Sequence, residues 1–298
     1  MTAEDQVALE TLEERLKTVL PKQYQECYDD VQPVSMGSAG LKFDEDGKVA
    51  WDEIWDSFCD LAMAGGPPHK GTLLVPGSAT EIEAQSDRYA EVVAEIRRGI
   101  TLVTDLRTQE SPVPGWVRLE CLTDGMAGWL VRAIVMENVS ARCEGTYLDL
   151  PAGPNYRIEK EIKNVITVIA KTCHYWLGHM WPAQHRTIGN LFATMEVETP
   201  LVQPGACEAS TVGESIEQAT GLRMSEKSSP GWLGLECPDV HAAIWMMRAL
   251  VVSNVLARRE GTVLFVAVNG ESDPNGERVV QAVRRIHSFA QARNVLEQ

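Results

Sequence analysis

Two stretches of this chain are variants of one another. Gly115–Leu148 (GWVRLECLTDGMAGWLVRAIVMENVSARCEGTYL) aligns without a gap onto Gly231–Leu264 (GWLGLECPDVHAAIWMMRALVVSNVLARREGTVL), with 18 of 34 paired positions identical. The offset of 116 residues is too long for one solenoid repeat, so it predicts two duplicated domains, each with its own core. A length of 298 residues accommodates two such domains. On this basis residues 1–66 form an N-terminal helical extension without a counterpart, 67–186 the first repeat and 187–298 the second.

The patterning predicts the elements of each copy. Leucines and valines over 4–20 fall at helical spacing, and Trp51, Ile54, Trp55, Phe58 and Leu61 mark a second helix ended by Gly65-Gly66-Pro67-Pro68. In the first repeat, strand 71–76, helix 81–98, strand 100–106 and strand 115–121 follow. A helix from Thr123 or Asp124 to about 143, strand 146–151 and a helix over 155–178 complete it. The second repeat reads strand 193–203, helix 211–219, strands 221–225 and 231–237, helix 239–259, strand 262–268 and helix 276–293. This order, β-α-β-β-α-β plus a helix, predicts an α/β (α+β sandwich) class built from tandem ferredoxin-like repeats. A single sheet shared by both copies is the rival arrangement, and neither implies a function.

Composition narrows the partners. The net charge of −15, from 27 basic against 42 acidic residues, and the lack of a Lys/Arg cluster argue against nucleic acid or an anionic membrane. No apolar run is long enough to span a bilayer, and the first residues lack a signal-peptide pattern. Seven cysteines with no CxxC read as reduced thiols in a cytoplasmic protein, with the matched Cys121 and Cys237 as core side chains.

Strand alternation turns the repeat into faces. Val117, Leu119 and Cys121 point towards the helices, and Trp116, Arg118 and Glu120 towards the open side. The matched Trp116 and Trp232 suggest that the two open faces approach each other. Arg132 and Arg248 interrupt apolar helices, so each needs a carboxylate or carbonyl partner, or serves to clamp an anion. Asn138/Asn254, Arg142/Arg258 and Glu144/Glu260 read as last-turn residues of those helices.

The copies differ where a site is expected. Arg118, Tyr147 and Asp149 of the first become Gly234, Val263 and Phe265 in the second. Trp116, Arg118, Glu120, Tyr147 and Asp149 therefore make a polar, aromatic face suited to a small anion, or else an internal ion-pair network. Glu120 and Asp149 are the candidate acid/base pair. His69 and Lys70, beside Gly65-Gly66, are candidate anion ligands, although no phosphate-loop motif is present.

Cys173, His174, His179 and His185 lack metal-site spacing, and five residues separate His174 from His179, so no metal centre is assigned. Lys160, Lys163, Thr167, Lys171 and His174 read as a solvated helix face. No catalytic-nucleophile motif appears and no cofactor is implied. The expected function is binding of a small anionic metabolite at the interface of the repeats or beside His69–Lys70. Catalysis would then fall to Glu120 or Asp149 as acid/base, with Arg118, His69 and Lys70 fixing the anion. The alternatives are a non-catalytic scaffold binding a protein partner or a second copy of itself, and an effector-sensing regulatory subunit.

Overall fold

The computed structural model describes residues 2–26, 40–54, 71–227 and 229–296. The chain is mixed α/β and divides into two compact units. The first unit spans residues 33–189, and the second combines 1–32 with 190–298. Among the described residues no helix is long and apolar enough to cross a membrane.

The first unit opens on a tight hairpin closed by the Phe43–Val49 bridge. Trp51 is buried and donates its indole N–H to Glu95 at 2.7 Å. Trp55, Phe58, Leu61 and the Gly-Gly-Pro-Pro stop lie outside the described residues. The expected strand over 71–76 reduces to a single parallel bridge, Leu74 to Val139. Two helices follow, α2 (Ala79–Ala84), opened by a Ser78/Glu81 capping box, and α3 (Ser86–Thr104).

The strand expected over 100–106 is in fact the end of α3. Val92, Ile96 and Ile100 repeat every four residues and are buried, so helical periodicity outweighs the β-branched run. Asp105 then takes a left-handed conformation (φ 57°) and stops the helix. Next come β1 (Arg107–Glu110), β2 (Trp116–Glu120) and α4 (Asp124–Met136), the last capped by the Thr123 hydroxyl on the Met126 amide.

Helix α4 ends well before residue 143, because Asn138 adopts φ 58°, a conformation that asparagine tolerates better than most residues. The residues beyond it become β3 (Arg142–Glu144), which turns through Gly145 (φ 57°) into β4 (Tyr147–Pro151). The sheet is antiparallel, in the order β1-β2-β4-β3. Two strands thus follow α4 where the ferredoxin-like pattern has one, so that arrangement is corrected. A π turn (Ile158–Ile162) leads into α5 (Lys163–His179). This helix crosses α3 at Gly99, where a Cβ would collide with Ile166.

The strand expected over 193–203 is largely helical too. It belongs to α6 (Pro182–Glu198), where Ile188, Phe192 and Met195 are buried at helical spacing.

The second unit starts with α1 (Ala3–Thr18), capped by Thr2 and Asp5 and burying Leu9, Leu12 and Leu16. After α7 (Ala209–Thr220), a bridge from Met224 to Leu235 stands where the first unit has β1. Then come β5 (Trp232–Glu236), α8 (Val240–Val251), β6 (Ala257–Glu260), β7 (Val263–Ala267) and α9 (Glu277–Ala292). Its sheet runs in the order β5-β7-β6.

Several local hydrogen bonds recur at matched positions of the two units. Leu74 N–H donates to Asn138 O and Val202 N–H to Asn254 O, both at 2.8 Å. Cys121 N–H reaches Thr146 O and Cys237 N–H reaches Thr262 O. Asn254, like Asn138, is left-handed (φ 59°). One sheet face in each unit is apolar and buried, carrying Val117, Leu119, Leu148 and Leu150 in one and Leu233, Leu235, Leu264 and Val266 in the other.

Candidate functional site

Cross-strand register assembles the candidate site on the open face of the first sheet. Arg118 on β2 lies opposite Asp149 on β4, which also faces Arg142 on β3. The Arg118 fork is bidentate, Nε to Asp149 Oδ1 at 2.8 Å and Nη2 to Oδ2 at 3.0 Å. Arg142 Nε adds a third bond to Oδ2 at 2.9 Å. Asp149 is only 2% exposed, so one buried carboxylate anchors two guanidinium groups. Glu144 stands 3.9 Å from Arg118, with its side chain almost wholly in solvent, where it neutralises little.

Aromatic rings hold the same two cations in place. The Arg142 guanidinium carbon lies 4.6 Å from the centre of the Trp116 ring, and that of Arg118 5.0 Å from Tyr147. The hydrogen bond to Asp149 raises the Arg118 pKa above its ordinary value, against a smaller opposing effect of burial. Among the described residues, Arg142 forms its hydrogen bond through Nε, so its terminal nitrogens are not engaged by Asp149.

Trp116, Arg118, Tyr147 and Asp149 therefore converge as a network. Glu120 does not join it: it is exposed at the strand end, opposite Tyr147 and Arg107. With three donors on its oxygens, Asp149 serves as an anchor for the arginines. His69 and Lys70 lie outside the described residues. Arg132 is buried on α4 and donates to the Gly128 carbonyl of its own helix at 2.6 Å, a carbonyl partner of the kind its position demanded.

Arg142 joins this network, although its spacing reads as the last turn of a helix. The signal was present in RCEGTYLDL, where a glycine between two short alternating runs marks a hairpin. Lys171 was also misread. It is buried and forms an ion pair with Glu137 at 2.6 Å, because that side of α5 meets the end of α4.

The matched face of the second unit is built differently. Arg258 is fully buried between Trp232 and Phe265, with its guanidinium carbon 5.2 and 3.9 Å from their ring centres. It pairs with Glu260 at 2.6 Å, and burial lowers its pKa. On α8, His241 Nδ1 and Trp245 Nε1, one turn apart, are buried without a hydrogen-bond partner among the described residues.

The end of α5 carries a second polar cluster. His174 and His179 approach to 3.0 Å between their Nε2 atoms, and His185 stacks on Trp176 while bonding its carbonyl at 2.6 Å. Among the described residues, no group of three or more histidine, cysteine or acidic side chains forms a metal centre. No family model, curated protein or solved structure matches this chain.

Proposed function

We propose that this protein binds a small anionic metabolite, a carboxylate or phosphate, on the open sheet face formed by β2, β3 and β4. The observation that supports this most is the ratio of charges: two guanidinium groups share one buried carboxylate, Asp149. Held by the carboxylate and by Trp116 and Tyr147, the arginines are ordered in advance of any ligand, which lowers the entropic cost of binding. Arg142 is the principal anion ligand in this reading and Arg118 the residue that positions the face. The occupied oxygens of Asp149 and the exposed position of Glu120 favour binding over acid/base catalysis.

We read the two units as products of a duplication in which the anion site is kept in one copy. Free thiols at all the described cysteines accord with a cytoplasmic setting. A protein-interaction role is the second reading, supported by Leu177 and Trp181, which stand 47% and 72% exposed around the α5–α6 corner.

The test is thermal denaturation of the full chain with a panel of di- and tricarboxylates, inorganic phosphate and sugar phosphates. A ligand held at a hundred times its Kd should add about 2.7 kcal/mol of stability. That gain should disappear in Arg142→Gln and persist in Arg259→Gln, a control in the second unit. If no anion stabilises wild type more than Arg142→Gln, this reading fails.

A further inference from the structure

We propose that His174 and His179 form a two-imidazole chelate for one divalent transition-metal ion that accepts right-angled ligands, Cu(II) or Ni(II). Five residues apart on an unbroken helix, these side chains would point in widely different directions. Here α5 ends at His179 and Met180 is already extended (φ −117°, ψ 135°), so no further helical turn stands beyond the last ring. Gly178 between them has no side chain, and even a Cβ there would lie 3.7 Å from the His174 ring. The rings meet edge to face, with centroids 4.8 Å apart and Nε2 atoms 3.0 Å apart.

That separation, set by the hydrogen bond between the rings, is close to the one a right-angled pair of ligands needs. A metal–imidazole bond is about 2.0–2.1 Å long, so two such bonds at a right angle place their nitrogens about 2.9 Å apart. A tetrahedral angle would need about 3.3–3.4 Å. The observed distance suits neighbouring positions of a square-planar or octahedral ion, the preference of Cu(II) and Ni(II) rather than of structural zinc.

In the metal-free pair one Nε2–H donates to the other Nε2. On binding, that ring's proton moves to Nδ1 through solvent, both Nε2 lone pairs face the metal, and neither ring changes charge. Both rings are partly exposed, so water can fill the remaining positions. His185 stays outside the chelate because its Nε2 is committed to the Trp176 carbonyl.

The experiment is titration of the full chain with Cu(II) near neutral pH, followed by calorimetry and electron paramagnetic resonance. One equivalent should bind with hyperfine coupling to two imidazole nitrogens. His174→Gln and His179→Gln should each weaken binding at least tenfold and leave coupling to one nitrogen, whereas His185→Gln should bind as wild type does. In wild type itself, Cu(II) should protect His174 and His179 from diethyl pyrocarbonate and leave the reactivity of the partly exposed His185 unchanged, a readout independent of how the variants fold. Wild-type affinity in both His174→Gln and His179→Gln, or a spectrum without imidazole nitrogen, would overturn the proposal.

Discussion

The matched sheet faces of the two units share an arginine and a tryptophan but solve the packing problem in opposite ways. In the first unit the cross-strand pair is Arg118 with Asp149; in the second it is Gly234 with Phe265. Charge faces charge in one, and an aromatic ring covers a glycine in the other. The common arginine follows its setting: Arg142 leans on Asp149, whereas Arg258 lies against two rings and Glu260. Neither residue of a pair makes sense without the other. Phe265 fits because position 234 has no side chain, and Asp149 is tolerated in a buried place because two guanidinium groups bond to it.

The largest expected effect comes from exchanging these pairs. Asp149→Phe alone leaves two guanidinium groups without their buried carboxylate and sets a ring against the Arg118 side chain. It should cost about 3–5 kcal/mol. Adding Arg118→Gly restores the arrangement of the second unit, and should recover roughly 1–3 kcal/mol as a coupling energy. Chemical denaturation of wild type, both single variants and the double variant measures that coupling. Simple additivity would mean that the two faces are not alternative solutions of one framework.

A smaller effect tests the same comparison from the other side. A Cβ at Gly234 would meet the Lys227 carbonyl oxygen at 3.0 Å, the Ser225 Cβ at 3.1 Å and the Phe265 ring at 3.2 Å. The carbonyl belongs to the backbone and cannot rotate away, so Gly234→Ala should lose about 1–2 kcal/mol despite the better strand propensity of alanine. Arg118→Ala in the same denaturation series leaves the buried Asp149 carboxylate with Arg142 alone, and its cost should exceed that of Gly234→Ala. An equal cost for the two variants would erase the distinction between a charged and an apolar face.

Much of this difference was legible in the sequence, since register follows from alternation. Placing Trp116, Arg118 and Glu120 opposite Val117, Leu119 and Cys121 needed only the period of two. The helix ends were less legible. Asn138 stops α4 through one dihedral angle, and a run such as VSARCE suits a helix or a strand until its pairing with β4 decides it. Residues 100–106 failed for the opposite reason: the buried stripe of α3 extends through Ile100, and tertiary burial outweighs the strand preference of ITLVT. The His174–His179 approach was hidden because residues five apart on a helix ordinarily point apart, whereas here both rings, near the end of α5, turn towards each other.

The smallest effect compares the buried sides of the sheets, where the units agree. Burial pushes the thiols of Cys121 and Cys237 up to about 12, so near pH 8 almost no thiolate forms at either. In the native protein, iodoacetamide should spare both, together with buried Cys173, while the partly exposed Cys143 and Cys207 react. As urea is added, each protected thiol should become reactive when its own sheet opens. The first sheet carries a buried ion-pair network where the second carries an apolar pair, and an apolar substitute for buried charge is commonly neutral or more stable by about 1–4 kcal/mol. Cys121 should therefore be labelled at lower urea than Cys237, as read by mass spectrometry of the two peptides. Labelling of Cys237 first would mean that Arg258, buried between its rings, weakens its sheet more than the Arg118–Asp149–Arg142 network weakens the other.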